Sequence, residues 1–579
     1  MRIAAFISLF LLFAGELSAT NLSVENTLQN HVKYLTSNEL QGRLTGSAGE
    51  QLATQYIATL FKDLKLEPAG DNGTYFQEFN FTAGVLLGKN NLLSVTNQQG
   101  ITKNLIVNQD WRPLTFSDNT VFANSELVFA GYGITAPAIG KLPAYNSYKN
   151  LNVKNKWVVV LRYAPEKITA ERRRQLSLYS SLRYKAFTAQ QNGAKGIIFL
   201  SNELIPLSFD GALASSGIIA LSVKESVFPV VNGIKISGQT EINKITKHGR
   251  NVLAILKINP YLASMIVIGA HVDHLGHGEL SGSLARNDEI GMMHPGADDN
   301  ASGVASLLQT AAMLSELKAN GKLQGNKNIL LAAWSGEELG NLGSAQFVKR
   351  FMKITLNNSL RPAIDAAINL DMIGHFDKKL VVQGIGSSSD WVKLFKKVNA
   401  NYQLPFITQN DPYLPTDSTA FYLQGVPALN FFTGAHEGYH SPRDTADTLN
   451  YKGIKNISEF LMGLIFALEE SPNLMSYQEV KKTHAVPERE FKIYLGTIPD
   501  YTSADIVGVK LAGVAKDSPA AQAGIKRNDV IIELAGNSIH DIYDYTFVLN
   551  GLPVAEPVKL VVLRGQARVA LTIVPRYRG

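Results

Sequence analysis

Between residues 266 and 432 the chain repeats one pattern: a short apolar run, a polar loop, then helical periodicity. Ile266-Val-Ile-Gly-Ala270 runs into His271, and Ile329-Leu-Leu-Ala-Ala-Trp334 runs into Ser335-Gly-Glu-Glu338. Ala366-Ala-Ile-Asn-Leu370 runs into Asp371, and Pro427-Ala-Leu-Asn-Phe-Phe432 precedes the loop carrying His440. Between them Val304, Leu307, Leu308, Ala311 and Leu314 recur at three- and four-residue steps, the apolar face of a helix. Apolar runs without alternation suit strands buried on both faces. The segment therefore predicts an α/β fold, a mixed, mostly parallel sheet flanked by helices. Polar side chains just past the carboxyl ends of such strands stand where open α/β sheets bind ligands.

The texture changes elsewhere. Leu28, Val32, Leu35 and then Leu52, Tyr56, Ile57, Leu60, Phe61 and Leu64 mark helices near the start, so residues 20–124 read as the first part of the same unit. Residues 125–250 instead carry short strand-like runs, Leu127–Ile134, Trp157–Leu161 and Gly196–Leu200, with a helix expected over Lys185–Gly193. They read as a β-rich insertion, because the apolar strand starting at Asn251 resumes the earlier style. The α/β unit then continues over 251–470. Polar, proline-containing Ser471–Glu490 reads as a linker. Residues 491–579 form a small β-rich unit with strands near Val507, Val530, Val558 and Val569 and a short helix after Ser518.

Composition narrows the class. At 579 residues, with 45% hydrophobic and 18% charged residues, the chain is long and apolar enough for several folded domains. Its net charge of +6 is dispersed, and the densest run, Arg172-Arg-Arg174, reads as a solvated helix face, so nucleic acid is not indicated. Met1-Arg-Ile-Ala-Ala-Phe-Ile-Ser-Leu-Phe-Leu-Leu-Phe has the basic start and apolar stretch of a secretory leader, with a cleavage site after Ala19. It is too short for a membrane span, and no other run is long enough, so no integral membrane anchor is expected and the mature chain reads as periplasmic or secreted. There is no cysteine, which excludes disulfides, thiolate ligands and a cysteine nucleophile; any metal must be held by imidazole and carboxylate.

Seven of the eleven histidines lie between His271 and His440. Each candidate ligand has a bland reading alone: His271 as a core histidine, Asp298-Asp299 as helix N-cap residues, Glu337-Glu338 as surface capping. Adjacent carboxylates after a buried strand repel one another, and a pair of cations makes sense of them, one carboxylate binding metal and the other taking a proton from water. Asp273, two residues past His271, suits the role of acceptor for the imidazole N–H that is not on the metal.

The motifs Gly269-Ala-His-Val-Asp273, Pro295-Gly-Ala-Asp-Asp-Asn-Ala-Ser-Gly303, Trp334-Ser-Gly-Glu-Glu-Leu-Gly340, Asn369-Leu-Asp-Met-Ile-Gly374 and Tyr439-His-Ser-Pro-Arg-Asp-Thr445 resemble those of the co-catalytic dizinc aminopeptidase family, relatives of bacterial leucyl aminopeptidases and glutamate carboxypeptidase II. The resemblance implies two Zn2+ per chain. His271 and Asp371 would hold one and Glu338 and His440 the other, with Asp299 bridging and Glu337 as general base. The Tyr439 hydroxyl is a candidate for holding the oxyanion. The insertion resembles a protease-associated (PA) domain. The C-terminal unit resembles a PDZ domain, although Pro499 in its carboxylate-binding loop lacks an N–H for adding a peptide strand. Expected partners are peptide substrates and a peptide or protein ligand of the PDZ unit. The implied activity is removal of N-terminal, apolar residues. A carboxypeptidase acting on acidic C-termini, a non-catalytic peptide binder and a glutaminyl-cyclase-like transferase are the alternatives on the same fold.

Overall fold

The structure, a computed structural model, describes residues 17–577 except 139–140, 166–167, 170–171, 173–174, 177–178, 206, 208–216, 229–232, 259–260, 262–263, 280–281, 356–358, 481–492, 501–505, 541 and 551. The leader lies outside the described residues up to residue 16, as do parts of the arginine run and the linker from residue 481. Among the described residues no helix is long and apolar enough to cross a membrane.

Helices α1 (Leu17–Leu35) and α2 (Ala48–Asp63) come first, followed by the long strand β1 (Phe76–Leu87). After the intervening segment, β2 (Ile242–Leu256) runs back antiparallel to β1. Then follow β3 (Met265–His271), α3 (Gly303–Ala319), β4 (Asn328–Trp334), α4 (Leu342–Ile354) and β5 (Ile364–Leu370). The unit ends with β6 (Leu380–Gln383), α5 (Asp390–Tyr402), β7 (Phe406–Gln409), β8 (Ala428–Phe432) and α6 (Tyr451–Glu470). Across the sheet the order is β2-β4-β3-β5-β8-β6-β7, with β1 and then the short strand Glu67–Pro68 along the outer edge of β2. Strands β4, β3, β5 and β8 are mutually parallel; β2 and β6 enter antiparallel.

Every residue of β4 and β5 is buried, because helices cover both faces. Ile266, Ile268 and Ala270 of β3 face α1, α2, α3 and α6 through Leu28, Phe61, Leu307 and Leu464. Val267 points the other way, toward a layer built on Trp334, Phe347 and Phe421. The wholly apolar runs are thus the signature of a three-layer sandwich. Parallel pairing has one consequence for function: His271 is level with Trp334, and Leu370 with Phe431, so four loops leave the sheet on one edge.

The intervening segment forms an eight-stranded sheet built from Leu92–Thr96 through Lys235–Thr240, around the fully buried Trp157. It carries the helix Leu182–Gln191. The C-terminal unit is a six-stranded sheet over its own core of Leu511, Ile531, Leu534, Leu560, Val562 and Ile573. There Thr497–Pro499 pairs with Val509–Val514, and the Thr497 hydroxyl meets that of Tyr545 at 2.5 Å, across to the helix Ile542–Asn550.

One buried cation ties the first residues to the loops of the site. Arg43 is 1% exposed and donates to the carbonyls of Val272 (2.8 Å), Pro295 (2.7 Å), Gly296 (3.0 Å) and Leu35. Burial lowers its pKa to about 10, against the opposing pull of Asp273 and Asp444. Arg43→Met keeps the bulk of the side chain but leaves those carbonyls without their donor. The expected loss is about 3–5 kcal/mol of unfolding free energy, read by chemical denaturation.

Candidate metal centre

The loops beyond β3, β4, β5 and β8 bring together residues far apart in sequence. His271, at the end of β3, places Nε2 3.1 Å from Asp299 Oδ1 and 3.4 Å from Asp371 Oδ1. His440, in the loop after β8, places Nε2 3.1 Å from Asp299 Oδ2 and 3.2 Å from Glu338 Oε2. Asp299 therefore faces one group with each of its carboxylate oxygens. It sits in the segment Ala297–Ser302 that leads into α3, at a point where the backbone leaves helical geometry. All five side chains are fully or mostly buried.

The donor set suits metal. Nitrogen and oxygen atoms bound at about 2.0–2.1 Å to one tetrahedral ion lie ~3.4 Å apart, close to the spacings here. His440 Nε2 is buried and makes no hydrogen bond, although two carboxylate oxygens flank it. Its Nδ1 faces the Gly282 carbonyl at 3.0 Å, and His271 Nδ1 faces that of Asp273 at 3.2 Å. Each ring can donate Nδ1–H to a carbonyl and turn the Nε2 lone pair into the cluster, as metal-bound histidines do. These residues fit a pair of divalent cations.

The electrostatics agree. Burial opposes charge on His440, yet Glu338 and Asp299 outweigh it and raise the imidazole to about 10. His271 is likewise raised, against burial, by Asp299 and Asp371. Burial alone would raise Asp299, but the two imidazoles hold it well below the usual carboxylate range. Asp371 is raised by burial and by its acidic neighbours Asp299 and Glu338. Without metal, protons on the two imidazoles supply the positive charge that the carboxylates demand.

Asp273 and Asp444 shape the backbone around this cluster. The Asp273 carboxylate is 3.8 Å from His271 Nδ1, farther than its own main-chain carbonyl. It accepts instead from the Thr45 hydroxyl (2.8 Å) and the amides of Glu337 (3.2 Å) and Glu338 (3.4 Å). It thus grips the Glu-Glu turn rather than the imidazole. Asp444 does the same for the other loop, accepting from the amides of Asp298 (2.9 Å) and Asp299 (3.0 Å). Three-donor ligand groups form from His271, Asp299 and Asp371 and from His274, Asp299 and Glu338, and Glu337, 5% exposed, belongs to none. The ring of Tyr439 stacks on His440 with centroids 3.8 Å apart.

A third trio, Asp298, His375 and His436, is of different character. His436 Nε2 lies 3.3 Å from Asp298 Oδ2, and the two histidine rings stack at 4.0 Å. The Gly438 amide donates to His436 Nδ1, which fixes the ring proton on Nε2, facing Asp298. That turns the proton toward the carboxylate, but His436 Nε2 and Asp298 Oδ2 make no hydrogen bond. Sequence reasoning gave no role to Arg43, Asp444, His274 or Asp417. Arg43 stands between the first two helices and His274 in the histidine-rich stretch, but neither position announces its partner.

Residues 251–465 match the family model of Peptidase family M28, and residues 511–564 match that of a PDZ domain. The chain is 24% identical to Aminopeptidase YwaD of Bacillus subtilis (strain 168) over 344 residues, 55% of this chain and 69% of that protein. It is 25% identical to Leucine aminopeptidase 2 of Arthroderma otae over 302 residues, 45% of this chain and 55% of that protein. Among solved structures, an aminopeptidase from Aneurinibacillus sp. strain AM-1 aligns over 79% of this chain and 96% of its own, with 20% identity and a TM-score of 0.47.

Asp417 lies behind the cluster and is 0% exposed. It lines a small cavity with Gly269, Trp334, Asn369 and Phe421. Burial pushes its carboxyl up to about 7, against His271 and the Ser344 hydroxyl. The raised folded value means that its contribution favours folding at low pH and is lost as pH rises from about 4 through about 7. In chelator-treated protein, Asp417→Asn should match wild type in stability near pH 4. It should then become more stable by ~2–4 kcal/mol above pH 7, as denaturation at both pH values would read.

Proposed function

We propose that this chain, which carries a unit of Peptidase family M28 and a PDZ domain, is an exported aminopeptidase that uses two zinc ions to remove N-terminal, apolar residues from peptides. The observation that carries the reading is the carboxylate of Asp299, with Oδ1 toward His271 and Asp371 and Oδ2 toward His440 and Glu338. His271 and Asp371 would hold one ion, Glu338 and His440 the other, and Asp299 both. Bound zinc supplies polarisation of the scissile carbonyl and an attacking water of lowered pKa, toward ~7.

The chain's own residues do the rest. Glu337, kept out of the ligand set and held at its amide by Asp273, accepts the proton of the attacking water and passes it to the leaving amine. The stacked Tyr439 stands beside His440, where its hydroxyl can take the developing oxyanion. An acid-rich pocket suits a free α-amine. A carboxypeptidase acting on acidic C-termini needs spare basic side chains at the site. Arg43 is spent on four carbonyls and Arg443 is paired with Glu289, which leaves only the Nε atoms of Arg443 and Arg286 as buried unpartnered cationic nitrogens near the site among the described residues. The relatives named above, an aminopeptidase and a leucine aminopeptidase, lean the same way. The division into an N-terminal part, a PA-type insertion, the zinc unit, a linker and the PDZ domain belongs to this proposal, as does periplasmic or secreted location.

Leu-p-nitroanilide should be cleaved and an N-acetylated acidic dipeptide spared, with activity lost to chelator and restored by zinc. The reverse preference would favour the carboxypeptidase, and no turnover of either with two zinc ions bound would favour a binding protein. Glu337→Gln should keep both metal equivalents while kcat falls at least ~10²–10⁴-fold. Asp299→Asn should lose metal itself, read by elemental analysis.

A further inference from the structure

Glu338 has two carboxylate oxygens, and they meet two histidines in different ways. Oε2 lies 3.2 Å from His440 Nε2, which makes no hydrogen bond, as befits two ligands turned toward a common point between them. Oε1 lies 2.9 Å from His274 Nδ1 in direct hydrogen-bond geometry. A ring nitrogen aimed along its N–H at an oxygen is a donor to that oxygen, not a lone pair shared with it.

His274 is fixed in place, and its second ring nitrogen, Nε2, is buried and makes no hydrogen bond. Its amide donates to the Arg43 carbonyl at 3.2 Å, and its backbone bridges to Leu44. Its ring packs against Gly296, where φ is +59° and an added Cβ would fall 2.5 Å from Cδ2. The ring of His440 closes the other side edge-on, at 5.8 Å. The imidazole is fully buried.

We propose that His274 is a positioning residue for the second cation site. Its Nδ1–H occupies Glu338 Oε1, so that Oε2 alone, beside His440 and Asp299, is presented to the ion. This rests on the two-cation reading, in which His274 is not one of the five ligands although its ring forms a three-donor group with Asp299 and Glu338. Freed from His274, the carboxylate can rotate and meet the ion with either oxygen or both, at a cost in rotamer entropy and in fixed geometry. Only the Glu338–His440 site should feel the loss, because His271 and Asp371 make no contact with this hydrogen bond.

The test is a titration of metal-free, full-length protein with Zn2+ against a chromophoric chelator, which resolves the affinity of each equivalent without reference to activity. His274→Ala should weaken one equivalent about 10–100-fold and leave the other unchanged, which also controls for folding. His274→Asn puts an amide N–H where Nδ1 stands and should restore the weakened equivalent to near the wild-type value. An alanine variant binding both equivalents as wild type does would overturn the inference. So would an asparagine variant as impaired as the alanine one, since that outcome makes the ring itself a ligand. Wild-type protein taking up fewer than two equivalents would overturn the two-cation reading and this inference with it.

Discussion

Like charges buried together must be compensated, and this protein gathers Asp299, Glu337, Glu338, Asp371, Asp273 and Asp444 into one nearly dry region. At short range in a medium of low polarity, uncompensated carboxylates repel by several kcal/mol per pair at an effective dielectric of about 20. Most of what surrounds the site can be understood as the answer to that repulsion. Two imidazoles stand between the carboxylates. Main-chain amides of the Glu337-Glu338 turn and of Asp298-Asp299 point into the carboxylates of Asp273 and Asp444. Arg43 lies beneath, its charge felt by both of those aspartates. What these groups do not neutralise is left for cations.

The same charges explain why the scaffold is a parallel sheet. Donors must come from separate loops, at fixed distances, on one side of a rigid layer. Strands β3, β4, β5 and β8 provide that by running the same way in register, with helices sealing both faces. A hairpin-connected sheet would send alternate loops to opposite edges and could not gather four of them. The antiparallel strands β2 and β6 enter at places where the loop that follows holds no ligand.

Much of this is legible in the sequence because it is local. An apolar run followed at once by His271, Glu338 or Asp371 announces a strand and the polar group at its tip, and parallel order follows from burial on both faces. Long-range partners are not legible in that way. Asp273 reads as the natural partner of His271, two residues away, yet its carboxylate reaches Glu337 and Glu338, more than sixty residues on. Arg43 meets Val272, Pro295 and Gly296 across more than two hundred residues, and nothing near it in sequence signals a buried cation. His274 could be counted as one histidine among seven, but not assigned to one oxygen of Glu338. The second sheet shows a further limit: its strands begin at Leu92, well before the expected boundary at residue 125.

Residues 37–45 therefore belong to the site although none of them is a candidate ligand. Arg43 fixes the carbonyls that flank His271 and the 295–296 turn, Thr45 holds Asp273, and the Arg43 carbonyl receives the amide of His274. Through those three contacts the first helices set the distance between the loop of β3 and the turn that carries Asp299. A shift there would separate Oδ1 and Oδ2 of Asp299 from the groups they face, since each must satisfy a neighbour at close to 3 Å on opposite sides. The bridging geometry is thus a property of the whole α/β unit, including the part that precedes the second sheet, and not of the stretch that holds the ligands.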